Sequence, residues 1–284
     1  MNYLVSEKSK ILSLLLQHVE LTIIAIVLAI IIGIPLGIFI AHCKSVRKYV
    51  LGFINIVQAV PSMAFLGLLV PVLGIGSTPA IFMVVLYSLL PIVKNTSTGI
   101  TGIDSGILES ATGIGLTPRQ ILFKIQLPLA LPIIMAGVRI SAVSAVGLMT
   151  LSAFVGAGGL GYLVFSGVQT VNNTMILAGA IPACILALCV DFVFSKIEVV
   201  AIPDGISTSK SKRSRHAKNP KEYRDPKYKA RRRKVIGVAT ALVIIFIGCG
   251  RYFFSSFAQK ETIVVGSKDY TEQLILGNIY ADLL

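Results

Sequence analysis

Few residues of this 284-residue sequence form a pattern that could do chemistry. The nucleotide-binding pattern G-x-x-x-x-G-K-[ST] occurs nowhere in the chain, which excludes ATP hydrolysis by that route. A G-x-G-x-x-G pattern at residues 156–161 matches a dinucleotide-binding turn, but it follows a membrane-length apolar run instead of a strand in a βαβ unit. A glycine-rich bend or re-entrant segment is the better interpretation. We therefore expect no catalytic residue and no cofactor in this chain.

The cysteines do not predict a metal site or a disulfide framework, because they form no C-x-x-C pair and lie in or beside apolar runs. We interpret them as packing residues. They are Cys43, Cys184, Cys189 and Cys249. A competing interpretation concerns residues 231–249, where a basic run, an apolar run and Cys249 resemble a lipoprotein signal, although Phe246 fits the usual aliphatic position poorly.

The composition predicts a chain whose main solvent is lipid. Hydrophobic residues make up 55% of the sequence, charged residues 14%, and the mean hydropathy is +0.83. A membrane-spanning helix needs about 20 mostly apolar residues. The stretches of that kind, complete or nearly so, are 21–41, 50–73, 80–93, 132–154, 175–194 and 235–254. The first is too long for a signal peptide and is predicted to remain as a membrane anchor.

The net charge of +13 is concentrated in one segment. Residues 203–234 hold thirteen Lys and Arg against three acidic residues, and thus ten of the net positive charges. This basic linker is predicted to be disordered and to anchor the membrane topology, and we favour that role over nucleic-acid binding. A membrane-surface or ionic-strength-responsive element is a further hypothesis for it.

The distribution of charge also predicts the orientation. If the basic loop at 44–48 is cytoplasmic, and successive spans cross the membrane in alternating directions, residues 99–131 and the basic linker lie on the same side. The loops on the opposite side, 74–79 and 155–174, contain no charged residue. We predict an external N-terminus, a cytoplasmic linker and an external C-terminus in the plasma membrane.

Ion coupling is not predicted, because no Asp, Glu, Lys or Arg falls near the middle of the six stretches. Glu20, Arg139 and Asp191 are expected toward helix ends. The energy for any transport should therefore come from elsewhere.

The predicted cytoplasmic loop at 101–131 carries clear local signals. Asp104 is a candidate N-cap for a short helix to about Thr112, which glycines then end. Thr117 and Gln120 form a potential capping box around a proline, and a second short helix should run from Pro118 until Pro128 terminates it.

In this loop, Glu109-Ser110-Ala111, three residues, Gly115, nine residues and Ile125-Gln126-Leu127-Pro128 resemble the E-A-A, x3, G, x9, I-x-L-P signature of binding-protein-dependent ABC importer permeases with the methionine-permease-like fold. Ser110 replaces the first alanine. The resemblance implies a coupling helix that inserts into a cleft on a separate ATPase subunit, which would hold the ATP and Mg. The implied coupling residues are Glu109, Ser110, Ala111, Gly115, Ile125, Leu127 and Pro128. An ordinary amphipathic interfacial helix is the alternative.

Residues 58–62 and 156–161 are similar to segments of the osmoprotectant branch of that family, whose substrates are glycine betaine, carnitine and choline. Pro61, Ser62, Gly158 and Gly159 are the suggested path-lining positions. The resemblance further implies a homodimer in the lipid bilayer, paired with an ATPase dimer and transporting a quaternary ammonium compound. An importer of ergothioneine, which also carries a trimethylammonium group, is an alternative.

Beyond the sixth stretch, residues 265–277 resemble the start of binding proteins from the same branch. About 23 residues are too few to fold alone, so we expect a truncated domain on the external side. The aromatic cage that would hold a quaternary ammonium by cation–π attraction would lie in its missing part.

The predicted fold class is an all-α polytopic membrane protein. It comprises a methionine-permease-like five-helix transmembrane core with one additional C-terminal transmembrane helix, then the truncated start of an α/β periplasmic-binding-protein-like domain. The predicted domains are the permease 1–202, with the coupling loop 101–131, the linker 203–234, the sixth helix 235–254 and the binding-domain fragment 262–284. The rival prediction is a channel or structural membrane protein that does not use ATP.

Overall fold

A computed structural model describes residues 7–201 of the chain, and the regular secondary structure of this part is helical. The predicted linker, sixth helix and binding-domain fragment lie outside the described residues. A π-turn (Leu122–Gln126) and a 3₁₀ turn (Leu151–Val155) join neighbouring helices. The α-helices are α1 (Lys8–His42), α2 (Lys44–Ala59), α3 (Ser62–Leu73), α4 (Ser77–Thr101), α5 (Ser105–Gly113), α6 (Pro118–Ile121), α7 (Leu127–Thr150), α8 (Leu160–Gln169) and α9 (Asn173–Ala201).

Within residues 7–201, four helical segments are long and apolar enough to cross a membrane. The segments are Lys8–His42, Ser77–Thr101, Pro118–Val155 and Asn173–Glu198. The third joins α6, the π-turn, α7 and the 3₁₀ turn, and we refer to it as the long helix. Because several such helices share one bundle, the chain is a multi-pass membrane protein.

The predicted stretch 50–73 is not one straight helix. It divides into α2 and α3, which meet at an angle of 99°. Val60, before the proline, is extended with ψ of 132°, and Pro61 has φ of −57°. Since proline has no N–H and disfavours the helical conformation in the preceding residue, the helix breaks there. Counting this bent pair as one span brings the total in the described part to five.

The centre of the bundle is α4, which packs between α1 and α7. Gly33 and Gly37 of α1 allow the closest approach. A Cβ atom on Gly37 would lie 2.5 Å from the Cβ of Thr96, and one on Gly33 would lie 2.8 Å from Cγ2 of Ile92. Small residues four apart are a common means of bringing membrane helices together. α2 and α3 pack against α4, whereas α8 and α9 pack on the α7 side.

The expectation that Arg139 lies toward a helix end is wrong. The long helix begins at Pro118, well before the predicted stretch 132–154, so that Arg139 falls near its middle. Contacts of the residues on either side show how deep Arg139 lies in the bundle. Ser141 Oγ donates to the Ser88 carbonyl at 2.9 Å, and Gly137 lies against the Pro91 carbonyl. Arg139 therefore lies level with the middle of α4.

Candidate functional site

The first helix of the coupling loop, α5, is capped as its sequence predicts. The Asp104 side chain accepts a hydrogen bond from the Gly106 N–H at 2.9 Å. Glu109 and Ser110 are exposed on this helix, while Ala111 is 3% exposed. The three residues of the signature thus divide into two that present a carboxylate and a hydroxyl to solvent and one that packs inward.

Gly115 ends α5 in a two-bond turn. Its φ is +85°. The Gly115 N–H bonds the Thr112 carbonyl at 2.9 Å, and the Leu116 N–H bonds the Ala111 carbonyl at 3.2 Å. This pair of bonds is a Schellman motif, in which the left-handed position favours glycine. A Cβ atom on Gly115 would meet no atom within 4 Å, so the backbone conformation, and not crowding, explains the glycine.

The second helix begins with the predicted capping box. The Gln120 N–H lies 3.4 Å from Thr117 Oγ1, and the Thr117 N–H donates to Gln120 Oε1 at 2.9 Å. Pro118 occupies the first helical position, where no N–H partner is needed. The loop therefore consists of two capped helices joined by a tight turn.

The prediction that Pro128 terminates this second helix is wrong, since the long helix continues through it. The π-turn widens the helix just before Pro128, with the Leu127 N–H bonded to the Leu122 carbonyl five residues earlier. Pro128 consequently stands at the start of α7, among the positions whose N–H groups need no helical partner. π-turns inside helices are often found at functional sites.

The last signature residues connect the loop to the membrane core. Ile125 and Pro128 are half-buried. Leu127 packs against a cluster formed by residues of α1, α4 and α7, which are Ile34, Ile38, Ala41, Ile100, Ala130 and Ile134. Movement of the loop would thus reach the helix core through this end of the signature.

Gln126, the variable position of the I-x-L-P segment, makes a contact that local sequence patterns did not predict. It is 8% exposed, and its Oε1 lies 3.2 Å from Nε2 of His42, the last residue of α1. The two residues are far apart in the sequence, so no periodic signal could have joined them.

The loop also exposes three large apolar residues that the sequence did not single out as site residues. Ile107 is 44%, Ile114 78% and Phe123 66% exposed. For Ile114, the sequence signal that could have identified it as a site residue is its position between two glycines of the turn. Together with Glu109 and Ser110, these side chains give the loop a mixed apolar and polar surface suited to binding another protein.

The suggested path residues are not brought together. Pro61 and Ser62 lie at the break between α2 and α3, which α4 holds in place: the Tyr87 hydroxyl donates to the Val60 carbonyl, and Gln58 Nε2 donates to the Tyr87 carbonyl at 2.7 Å. This break lies beside the middle of α4.

Gly158 and Gly159 lie instead in the bend at 156–161, at the end of the long helix away from the coupling loop. We call these residues the glycine bend. Gly156, Gly158 and Gly159 all have positive φ, between 72° and 77°. The bend turns the chain from the 3₁₀ turn into α8, as a glycine-rich bend was expected to do.

Comparison with solved structures establishes the fold. A chain of the MetNI methionine ABC transporter, determined in inward-facing conformations, superposes with a TM-score of 0.60 at 23% identity, covering 66% of this chain and 94% of that chain. A second crystal form of the same transporter gives the same values.

The family follows from the sequence. Residues 33–198 match the family described as binding-protein-dependent transport system inner membrane component, and this chain belongs to that family. It is 42% identical over 194 residues to the glycine betaine/carnitine/choline transport system permease protein OpuCB of Bacillus subtilis, covering 68% of this chain and 89% of that protein. It is also 40% identical over 210 residues to the osmoprotectant import permease protein OsmW of Salmonella typhimurium, covering 72% and 98%.

Proposed function

We propose that this permease is the translocation subunit of an ATP-driven importer for quaternary ammonium osmoprotectants such as glycine betaine, carnitine or choline. The names of the similar permeases from Bacillus subtilis and Salmonella typhimurium support this substrate class. Two copies of the chain would enclose the path across the plasma membrane. A dimer of separate ATP-binding-cassette ATPases, which would hold ATP and Mg, would drive it from the cytoplasm.

The observation that carries the proposal is the geometry of the coupling loop. Glu109 and Ser110 are exposed on α5, and the Schellman turn at Gly115 holds Ile114 out into solvent. This surface would insert into the ATPase cleft, with Glu109 supplying a charge-assisted hydrogen bond and Ile114 an apolar contact.

The other end of the signature would transmit the force. Leu127 is packed into the core cluster between α1, α4 and α7, so closure of the ATPases would displace those helices through the π-turn. Ala111 and Ile125 would orient the loop, and Pro128 would fix where the π-turn gives way to α7. Pro61, Ser62, Gly158 and Gly159 remain our candidates for residues along the path.

The regions outside the described residues enter the proposal from the sequence alone. Residues 235–254 would form a sixth helix, and residues 262–284 would begin an external substrate-binding domain. A quaternary ammonium group has a permanent charge and no N–H donor, so cation–π contacts with aromatic side chains would recognise it there. The basic linker at 203–234 would anchor the topology on the cytoplasmic side.

The proposal can be tested by measuring radiolabelled glycine betaine uptake in membrane vesicles that contain the full chain and its ATPase. We expect uptake to require ATP and to be abolished in a Gly115→Trp variant that still assembles in the membrane. Competition by carnitine, choline and ergothioneine would rank the substrates, because ergothioneine is the alternative trimethylammonium ligand. Uptake that neither requires ATP nor changes with the substitution would favour a channel instead.

A further inference from the structure

α1 is tied to the long helix on the side of the coupling loop. His42 Nδ1 lies 2.9 Å from the Ile38 carbonyl, and its Nε2 lies 3.2 Å from the Gln126 side chain. A carbonyl only accepts, so Nδ1 carries a proton. The Gln126 amide can then present its NH₂ to a neutral ring or its oxygen to a protonated one, and both arrangements form a hydrogen bond.

On the far side of the bundle α1 is tied to the long helix and to the glycine bend that follows it. Gln17, near the start of α1, uses both ends of its amide on the backbone of the glycine bend. Its Nε2 donates to the Ala157 carbonyl at 3.1 Å, and its Oε1 accepts from the Gly159 N–H at 3.0 Å. The next residue, His18, is fully buried with Nε2 3.2 Å from the Val146 carbonyl.

Between these ties the two helices are in direct contact. Ile34, Ile38 and Ala41 of α1 pack against a buried cluster that includes Ala130 and Ile134 of α7. The contacts of α1 with the long helix and the glycine bend that follows it therefore include a side-chain amide at each end and an apolar contact between them. Helices fixed in this way resist sliding past one another, because sliding would break hydrogen bonds at both ends together.

We infer that α1 and the long helix move as one unit during transport, with Gln17, His42 and Gln126 as the positioning residues that hold it together. A displacement of the coupling loop would then arrive at the glycine bend on the opposite side of the membrane. This inference rests on the proposed function, in which the loop receives the motion of the ATPase. The inference adds the route by which motion of the coupling loop would reach the external side of the translocation path.

The first test measures substrate uptake per ATP hydrolysed in proteoliposomes containing the full chain, its ATPase and glycine betaine as the probe. Gln126→Leu and Gln17→Leu keep the size of the side chain and remove one tie each. We expect each variant to keep ATP hydrolysis while uptake per ATP falls about fivefold, since losing one hydrogen bond changes an equilibrium by roughly that factor. Ser13→Ala is the matched control, because the Ser13 hydroxyl donates to the Lys10 carbonyl within the same helix.

The second test restores one tie covalently. In a background with the native cysteines replaced by serine, His42→Cys and Gln126→Cys are introduced together and joined by a short thiol-specific cross-linker. We expect low uptake per ATP before cross-linking and recovery after it, because a pair that moves as one unit tolerates a covalent bond. A merely stabilising contact would lower the amount of assembled protein and leave uptake per ATP unchanged.

The outcomes separate this inference from the function on which it rests. Wild-type protein with no ATP-dependent uptake would overturn both. ATP-dependent uptake in the wild type with an unchanged ratio in both leucine variants would overturn the inference alone. Loss of the remaining uptake on cross-linking, reversed when the linker is cleaved, would also overturn it by showing that the two helices must separate.

Discussion

Arg139 of α7 and Asp191 of α9 form a two-point ion pair at the surface of the helix bundle, where their side chains are 34% and 41% exposed. Arg139 Nε lies 2.6 Å from Asp191 Oδ1, and Nη2 lies 2.8 Å from Oδ2. Glu198 Oε2 lies 3.5 Å from Nη1 of the same guanidinium. A planar guanidinium that bonds both oxygens of a carboxylate fixes the distance and the angle between the two side chains. The pair therefore sets how α9 sits against α7.

Removing one member of this pair should destabilise the bundle more than exchanging the two. Asp191→Asn leaves Arg139 with the longer contact to Glu198 only, and an under-compensated charge among membrane helices is unfavourable. We expect a lower melting temperature in detergent and less assembled protein for Asp191→Asn and for Arg139→Asp. The exchanged chain, Arg139→Asp with Asp191→Arg, should recover part of both. Single variants that melt like the wild type would contradict the assignment.

The local structure of the coupling loop was predictable because its signals act over three or four residues. The cap at Asp104 and the box of Thr117 and Gln120 appear in the structure as the sequence predicts. Each depends on one side chain reaching a backbone group in the next turn. The conformation of Gly115 follows the same rule, since the left-handed position of a Schellman turn favours glycine.

Contacts between distant segments were not predictable by such rules. Pro128 was expected to end a helix, but the π-turn before it, held by His42 of α1, lets the helix continue. The break at Pro61 was missed because the stretch is apolar on both sides of it. Arg139 was misplaced because the apolar run marks only part of the long helix. For Pro128 the deciding contact lies in a second helix, whereas for Pro61 and Arg139 an apolar run alone does not show where a helix breaks or begins.

Gly115 allows backbone strain to be separated from steric bulk in the coupling loop. Its φ of +85° disfavours other residues, although Asn adopts such conformations more readily than Ala, and a Cβ atom there would meet open space. We expect Gly115→Asn to retain most uptake and Gly115→Ala to destabilise the turn by about 1 kcal/mol. Gly115→Trp should block docking of the ATPase. Vesicle uptake and co-purification of the ATPase would measure this order, and equal effects of Asn and Trp would refute it.

The hydroxyl of Tyr87 should stabilise the break between α2 and α3. It donates to the Val60 carbonyl, whose residue immediately precedes Pro61, and the Tyr87 ring packs edge-on against Phe65 with centroids 5.9 Å apart. Tyr87→Phe keeps the ring and removes the donor. We expect the free energy of unfolding to fall by about 1 kcal/mol. Tyr49→Phe is the control, because Tyr49 is 77% exposed, and thermal denaturation that ranks the two variants equally would contradict this role.

Ile114 should contribute to partner binding without contributing to the stability of the permease. It is 78% exposed at the turn of the coupling loop, so Ile114→Ser removes few contacts within the chain and should change the free energy of unfolding by less than about 0.5 kcal/mol. A large apolar residue at the centre of a protein interface commonly contributes more than about 1 kcal/mol to binding, and we expect the affinity for the ATPase to fall at least about tenfold. Ile75→Ser is the matched control, because Ile75 is 79% exposed at the far side of the bundle, where its loop bonds the Val155 carbonyl through the Gly76 N–H. Titration of detergent-solubilised permease with its ATPase would measure both affinities. If the two serine variants bind the ATPase equally well, the exposed turn of the coupling loop is not the docking surface.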